Sequence, residues 1–201
     1  MHPDACFSWT DEAEMQGFAN EIAFAHLFAA TTAGLMVAHA PVIVTDEGNL
    51  RFHLARRNAL ARHIEGASVL ASMVSPDFYV SPDWYRQADQ VPTWNYRAIE
   101  IEGPVHRLDD AALIEQLEQL SAAQEERLAP KPVWTRHKMA PGRFEAMLPA
   151  IMAYELRATS WRGTLKLSQN KNAADREGVA EALEALGQTG NADLVRKARR
   201  P

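Results

Sequence analysis

The first half of the chain alternates apolar and polar residues in a way that predicts one helix followed by antiparallel strands. A cluster of acids, then apolar residues at helical spacing, predicts a helix over 11–25. Residues 27–44 are rich in β-branched and aromatic side chains around Gly34, which predicts two strands joined by a tight turn. A turn over 46–49 and strict alternation over 50–54 predict a third strand beside them.

The second half continues this pattern with longer elements. Further strands are predicted over 67–74, 93–105 and 151–161, and further helices from Asp109 or Asp110 to Pro130, over 142–148 and over 173–186. Pro92 and Pro104 cannot donate to a sheet, so we expect them to mark the ends of the strand between them. The order of elements predicts an α+β, mainly β chain, in which a closed or nearly closed antiparallel sheet carries peripheral helices. We expect one domain over 1–201, with a C-terminal helical segment from about residue 173.

Composition and charge exclude several classes of protein for this sequence. The chain is 47% hydrophobic and 23% charged, which is typical of a globular fold and excludes disorder as its main character. A net charge of −5 excludes a uniformly basic nucleic-acid-binding surface, although a local basic patch stays open. Cys6 is the single cysteine, and the sequence has neither a secretory signal pattern nor an apolar run of about 20 residues. A soluble, cytoplasmic protein is therefore expected.

Several common catalytic signatures are missing from the sequence. There is no glycine-rich nucleotide-binding loop, no H-E-x-x-H, no C-x-x-C and no G-x-S-x-G motif. The seven histidines show no spacing typical of metal ligands. Nucleotide hydrolysis by a Walker motif and zinc proteolysis are disfavoured, and no metal site is predicted.

Four short segments combine hydrogen-bonding, basic and aromatic side chains at unusual density. They are His53-Leu54-Ala55-Arg56-Arg57-Asn58, Tyr79-Val80-Ser81-Pro82-Asp83-Trp84-Tyr85, Val91-Pro92-Thr93-Trp94-Asn95-Tyr96 and Lys166-Leu167-Ser168-Gln169-Asn170-Lys171. A flat, amphipathic, phosphorylated ligand needs apolar faces for its rings, amides for its polar edge, and Arg or Lys for its phosphate. The four segments supply all three kinds of group.

A purely structural interpretation of these segments is also open. Aromatic side chains are more often buried in a core or a subunit interface than exposed to a ligand, and basic side chains are usually solvated. The second segment, from Tyr79, is interpreted as chiefly structural. For Lys166 to Lys171, ligand binding is favoured, because two cations and three polar side chains precede a predicted helix in an acidic chain.

The same four segments, in this order, resemble the signature stretches of the PaiB-like family of FMN-binding negative transcriptional regulators. The family pattern has H-L-A-R-x-N, Y-V-S-P-x-W-Y, V-P-T-W-N-Y and K-L-S-Q-N-K, and looser similarity extends from Pro3 to about Val179. This chain departs from a Thr-His-Leu-Pro-like stretch of the family, because it has Ala38-His39-Ala40-Pro41 there. The departure keeps the histidine and the proline but loses a hydroxyl.

The resemblance implies a split β-barrel like that of pyridoxamine-phosphate oxidases and flavin reductases, in a homodimer that binds FMN in the groove between its subunits. Arg56 is the favoured phosphate partner. The motif matches place these residues near the cofactor: His39, His53, Arg56, Asn58, Thr93, Trp94, Asn95, Tyr96, Lys166, Ser168, Gln169, Asn170 and Lys171.

Two functions are compatible with the resemblance. The family name implies a transcription repressor, yet the net charge and the lack of a recognisable helix-turn-helix leave only the basic stretch Arg196 to Arg200 as a DNA-contacting element. That stretch is also suited to the C-terminal end of a helix. The alternative is an oxidoreductase whose flavin exchanges hydride with a nicotinamide or a small organic substrate. Haem binding or degradation is a more remote option, and the sequence identifies no catalytic acid or base.

Overall fold

The computed structural model describes residues 1–198, which divide into two compact units. The barrel unit comprises Glu12–Met73 and Glu100–Trp161, and the terminal unit comprises Met1–Asp11, Val74–Ile99 and the chain from Arg162 onward. The strands are β1 (Ser8–Trp9), β2 (Phe24–Thr31), β3 (Gly34–Val44), β4 (Leu50–Ala55), β5 (Ser68–Val74), β6 (Phe78–Val80), β7 (Thr93–Arg107), β8 (Ile151–Leu156) and β9 (Ser160–Lys166). The helices are α1 (Glu12–Ile22), α2 (Asp110–Glu126), α3 (Arg143–Met147), α4 (Ala173–Ala185) and α5 (Thr189–Lys197).

The barrel unit is a ring of hydrogen-bonded strands. Neighbouring strands follow the order β7-β5-β2-β3-β4-β8, and pairing of β8 with β7 closes the ring. Alternation along β4 turns Leu50, Phe52 and Leu54 inward, and the Phe52 ring stacks on Tyr154 of β8 at 5.6 Å. The predicted closed antiparallel sheet with peripheral helices is confirmed, and it is a split β-barrel.

Helix α2 covers part of the outside of this barrel. Asp109 caps the helix by accepting from Ala112 N at 2.8 Å, and Leu113 buries its side chain beneath it. The Gln116 carboxamide oxygen accepts from the backbone N–H groups of Phe52 and His53, each at 3.2 Å. The helix therefore contacts the outward side of β4 through buried polar groups.

The terminal unit has its own apolar core. Residues of β6 and Tyr85 pack against α4 and α5, with Val179, Leu183 and Val195 fully buried. Gly178 lets α4 approach the backbone of Trp84 closely, because a Cβ at position 178 would lie 2.3 Å from the carbonyl oxygen of Trp84. Strand β1 pairs with β9, and β6 pairs with β7.

Two predicted strand boundaries are wrong, and both errors lie where Gly103 and Pro104 meet Arg157. The strand predicted to end at Pro104 continues to Arg107, because proline lacks only its own N–H while its carbonyl accepts from Arg157 N at 2.9 Å. The single strand predicted over 151–161 is two strands, β8 and β9, with a bend between them. A Cβ at Gly103 would lie 1.9 Å from the carbonyl oxygen of Arg157, so glycine allows this close backbone approach.

The first predicted helix also ends earlier than the pattern indicates. Ala23 adopts a left-handed backbone with φ of 52°, which ends α1 at Ile22 and lets β2 begin at Phe24. Of the basic stretch at the end of the chain, Arg196 and Lys197 lie in the last turn of α5, while Arg199 and Arg200 lie outside the described residues. Among residues 1–198, none of the helices has the length and apolar character needed to cross a bilayer.

Candidate functional site

A small polar cavity in the terminal unit contains six of the residues that the motifs single out. Its volume is about 270 Å³. The predicted residues that line it are Thr93, Asn95, Lys166, Ser168, Asn170 and Lys171. They come from β7, from β9 and from the loop after β9, so the tertiary fold joins the V-P-T-W-N-Y and K-L-S-Q-N-K motifs into one site.

Asn95 and Ser168 form the buried hydrogen bond of this cavity. Alternation along β7 turns Asn95 inward, where it is fully buried, and its Nδ2 donates to Ser168 Oγ at 2.8 Å. Asn95 Oδ1 is buried as well, and none of the donors in residues 1–198 hydrogen-bonds to it. Ser168 has a left-handed backbone with φ of 61°, which is strained for a residue with a Cβ. The site therefore combines backbone strain with an acceptor that lacks a donor.

Two lysines supply positive charge to the cavity. Lys166 Nζ donates to Thr93 Oγ1 at 2.6 Å, and burial lowers the pKa of Lys166. Lys171 Nζ donates to Gln90 Oε1 at 2.7 Å and lies 4.7 Å from the centroid of the Tyr85 ring. Both of these hydrogen-bond acceptors are neutral, and the two ammonium groups outnumber the one carboxylate, that of Asp4, among the described residues that line the cavity.

Other groups complete the wall and were not predicted as site residues. They are His2, Asp4, Phe7, Tyr85 and Val91. Asp4 accepts from Cys6 N at 3.0 Å, and that backbone hydrogen bond lowers the pKa of its carboxyl group. Burial raises the pKa of Tyr85. Two features of the sequence could have identified these wall residues. One is the looser family similarity that begins at Pro3, and the other is the segment from Tyr79 to Tyr85, which is interpreted as structural from the sequence.

Three motif residues of the terminal unit do not line the cavity. Trp94 points to the opposite side of β7 from Asn95, is 53% exposed, and meets the Tyr79 ring edge-on at 5.8 Å. Tyr96 is half-buried on that opposite side. Gln169 is buried and binds backbone, since its Oε1 accepts from Leu167 N at 2.7 Å and its Nε2 donates to the carbonyl oxygen of Leu165. Gln169 thus shapes the loop that carries Ser168.

The remaining predicted residues belong to the barrel unit. Arg56 Nε donates to the carbonyl oxygen of Pro149 at 2.8 Å, and Asn58 Oδ1 accepts from Leu60 N at 2.9 Å in the turn after β4. His53 lies under α2, and burial lowers its pKa. His39 and His26 face each other across β2 and β3 with their Nδ1 atoms 2.8 Å apart.

Comparison with known proteins identifies relatives over most of the chain. Residues 1–160 match the model of a family described as "Putative FMN-binding domain". Protease synthase and sporulation protein PAI 2 of Bacillus subtilis is 28% identical over 188 residues, which cover 92% of this chain and 89% of that protein.

Solved structures share the fold at low sequence identity. A FAD and heme binding protein from Mycobacterium smegmatis has a TM-score of 0.59 at 17% identity, covering 79% of this chain and 73% of that chain. The flavocytochrome Anf3 from Azotobacter vinelandii has a TM-score of 0.60 at 13% identity, covering 83% and 72%. With the family match over residues 1–160, these findings show that the chain belongs to the PaiB-like family of FMN-binding split-barrel proteins, and its cofactor is FMN.

Proposed function

We propose that this chain is a homodimeric FMN-binding protein, folded as one FMN-binding domain, that acts as a negative regulator of transcription. The observation that carries the cofactor site is the polar cavity of the terminal unit. It combines two ammonium groups with neutral partners and one buried amide oxygen without a donor.

The donor set of this cavity fits parts of FMN. Lys166 and Lys171 are suited to the phosphate, because an ammonium group forms charge-assisted hydrogen bonds with phosphate oxygens. Asn95 Oδ1 is suited to an N–H or O–H group of the cofactor, which would remove the cost of a buried acceptor without a donor. A volume of about 270 Å³ lies just below the range of complete cofactor pockets, so the cavity would hold one portion of FMN. Bound FMN supplies one- and two-electron redox chemistry.

Variants of the two lysines test the assignment. Lys166→Gln and Lys171→Gln are each expected to weaken FMN binding by about 1.5–3 kcal/mol, the range for a hydrogen bond to a charged group. Lys197→Gln on α5 is the matched control, because Lys197 is exposed and pairs with Asp193. The measurement is a fluorescence titration of FMN. Unchanged dissociation constants for both cavity variants would refute the site, and loss of affinity in Arg56→Ala alone would move the phosphate to the barrel unit.

The outer face of β2 and β3 supports the homodimer. Outward positions on these strands carry Phe24, Phe28, Leu35 and Val37, and Leu35 is 89% exposed. The register places Phe28 opposite Val37, and Leu35 lies two residues from Val37 on the same face, so these three side chains form an apolar patch. The His26–His39 pair separates Phe24 from this patch. Patches of this kind on soluble proteins mark interaction surfaces. A second copy of the chain would cover it.

Charge substitution in this apolar patch tests the homodimer. Phe28→Glu is expected to convert a dimer into a monomer in sedimentation velocity, because a carboxylate buried in an apolar interface loses its hydration. Leu128→Glu is the control, since Leu128 is also exposed but lies after α2, outside the patch. A wild-type protein that sediments as a monomer would refute the dimer, and a dimeric Phe28→Glu variant would refute this face.

The regulatory role rests on the family resemblance and on the sporulation protein among the relatives. A salt-dependent gel shift with the chain's own promoter and with random duplex tests it. Arg196 is a poor phosphate contact, because it pairs with Glu177 at 2.6 Å and also with Glu184 at 2.5 Å. Equal affinity for both duplexes would refute specific repression. Rapid reduction of the bound flavin by NADH, with no specific DNA binding, would instead favour an oxidoreductase.

A further inference from the structure

A second, larger cavity lies in the barrel unit between α2, the segment 127–142 and α3. Its volume is about 820 Å³, and it contains none of the residues assigned to FMN. The side chains that give it an apolar wall include Leu117, Trp134, Met139, Phe144, Met147 and Leu148. A cavity of this size, lined mainly by apolar side chains, is typical of sites for drug-sized ligands.

Polar contacts hold the outer wall of the cavity. Trp134 N donates to Glu125 Oε2 at 2.8 Å, and Lys131 pairs with the same carboxylate. The Arg127 guanidinium donates to the carbonyl oxygens of Asn20 and Glu21, which end α1, at 2.6 and 2.8 Å. These contacts hold the first part of the segment 127–142, whose Val133, Trp134 and Met139 line the cavity.

The guanidinium group of Arg136 gives the cavity a contact point for an anionic group. Of the five Lys or Arg residues in the segment 127–143, Arg136 is the one whose side chain lines the cavity. Glu118 is the one acid among the lining residues, and Arg136 Nε pairs with it at 2.7 Å. The Arg136 guanidinium lies 5.0 Å from the centroid of the Phe144 ring, and its terminal nitrogens are further donors for an anionic group.

We propose that this cavity is a binding site for a small organic anion with an apolar ring system or chain, whose carboxylate or sulfonate group contacts Arg136. The apolar wall would contact the body of the ligand, and the Arg136 guanidinium would contact its anionic group. None of the residues assigned to FMN lines the cavity, although Arg56 N donates to the carbonyl oxygen of Ala150 in its wall at 2.8 Å. Ligand binding here does not depend on the proposed function.

A matched pair of fluorescent probes tests the proposal on the full chain. The anionic probe is 8-anilinonaphthalene-1-sulfonate, and the neutral probe is N-phenyl-1-naphthylamine, which has the same rings without the sulfonate. We expect one saturable site per chain that binds the anionic probe at least five-fold more tightly. Equal affinity for both probes would refute the selection of anions.

Cavity-filling variants locate the bound probe. Ala122→Phe places a ring in the cavity from α2 and is expected to weaken binding of the anionic probe at least ten-fold. Ala123→Phe is the control, because Ala123 is the next residue of α2 and does not line the cavity, and it should leave the affinity unchanged. Ala146→Trp fills the same cavity from α3 and serves if Ala122→Phe does not fold. The double variant Arg136→Gln/Glu118→Gln should weaken binding of the anionic probe and leave binding of the neutral probe unchanged. Equal loss in Ala122→Phe and Ala123→Phe would refute the site.

Competition and sedimentation separate the other possible occupants. Saturating FMN is expected to leave probe binding unchanged, and displacement of the probe by FMN would make this cavity part of the flavin site and overturn the proposal. A change of oligomeric state in Ala122→Phe, with probe binding that falls as protein concentration rises, would assign the cavity to a second copy of the chain and would also overturn it.

Discussion

The barrel unit and the terminal unit differ in the chemistry of their interiors. Among residues 1–198, seven polar or charged side chains are buried, and Gln116 is the one that belongs to the barrel unit. The others, all in the terminal unit, are Ser75, Asn95, Thr164, Ser168, Gln169 and Asp175. An apolar interior requires matched volumes, whereas a polar interior requires a partner for every donor and acceptor. The proposed flavin site therefore lies in the terminal unit, whose interior must provide a hydrogen-bond partner for each buried donor and acceptor.

The largest effect is expected from the apolar interior of the barrel. Phe52→Ala should lower the free energy of unfolding by about 4 kcal/mol, because it removes a fully buried ring stacked on Tyr154 and leaves a cavity. Urea unfolding followed by tryptophan fluorescence measures this loss. Leu128→Ala is the control and should change stability by less than about 0.5 kcal/mol, since Leu128 is 54% exposed. A loss below about 2 kcal/mol for Phe52→Ala would mean that the barrel interior relaxes around the deletion.

A slightly smaller loss is expected from the buried carboxylate of the terminal unit. Asp175 Oδ1 accepts from Arg86 N at 2.7 Å and from Gln87 N at 3.0 Å, and Oδ2 accepts from Asn172 Nδ2 at 2.9 Å. Asp175→Ala leaves these donors without their acceptor and should cost about 3 kcal/mol in the same urea experiment. Asp193→Ala, at an exposed acid paired with Lys197, should cost less than about 0.5 kcal/mol. Equal losses in the two variants would contradict a polar interior that requires full satisfaction.

Two substitutions at Ser168 separate its hydrogen bond from its backbone strain. Ser168→Ala keeps the left-handed backbone and removes the partner of Asn95 Nδ2, so it should lose about 1–2 kcal/mol of stability. Ser168→Gly loses the same hydrogen bond but relieves the strain at φ of 61°, and it should be the more stable variant by about 1 kcal/mol. Thermal unfolding of both proteins measures the difference. If Ser168→Gly is the less stable of the two, the backbone at this position is not strained.

The smallest effect is a pH dependence that His53 gives to the barrel unit. Burial lowers the pKa of His53 from its ordinary value of 6.5, so the folded protein binds fewer protons than the unfolded chain at pH values just below 6.5. The contribution of neutral His53 to stability is complete above pH 6.5 and decreases as the pH falls toward the lowered pKa. His53→Gln should therefore flatten the stability profile between pH 7 and pH 5 in urea titrations. An unchanged slope would show that other groups cause it.

The fold was largely predictable because its signals are local. Alternation over 50–54 reports which side chains face inward, and Asp109 caps α2 as its position before an apolar run predicts. The errors occur where distant segments meet, as at Gly103, whose close approach to Arg157 depends on a backbone more than fifty residues away in sequence. The left-handed backbone of Ala23 has no signal in its side chain either.

The sequence by itself determined the strand-rich class of the fold and the motifs that identify the family, because both depend on residue types at short spacing. The tertiary structure decided which motif residues meet. It brought Asn95 and Lys166 into one cavity, turned Trp94 away from it, and used Gln169 to hold a loop. It also decided that the basic segment 127–143 borders an apolar cavity. Side-chain direction and long-range contacts depend on how all the strands and helices pack together, and no short stretch of sequence contains that information.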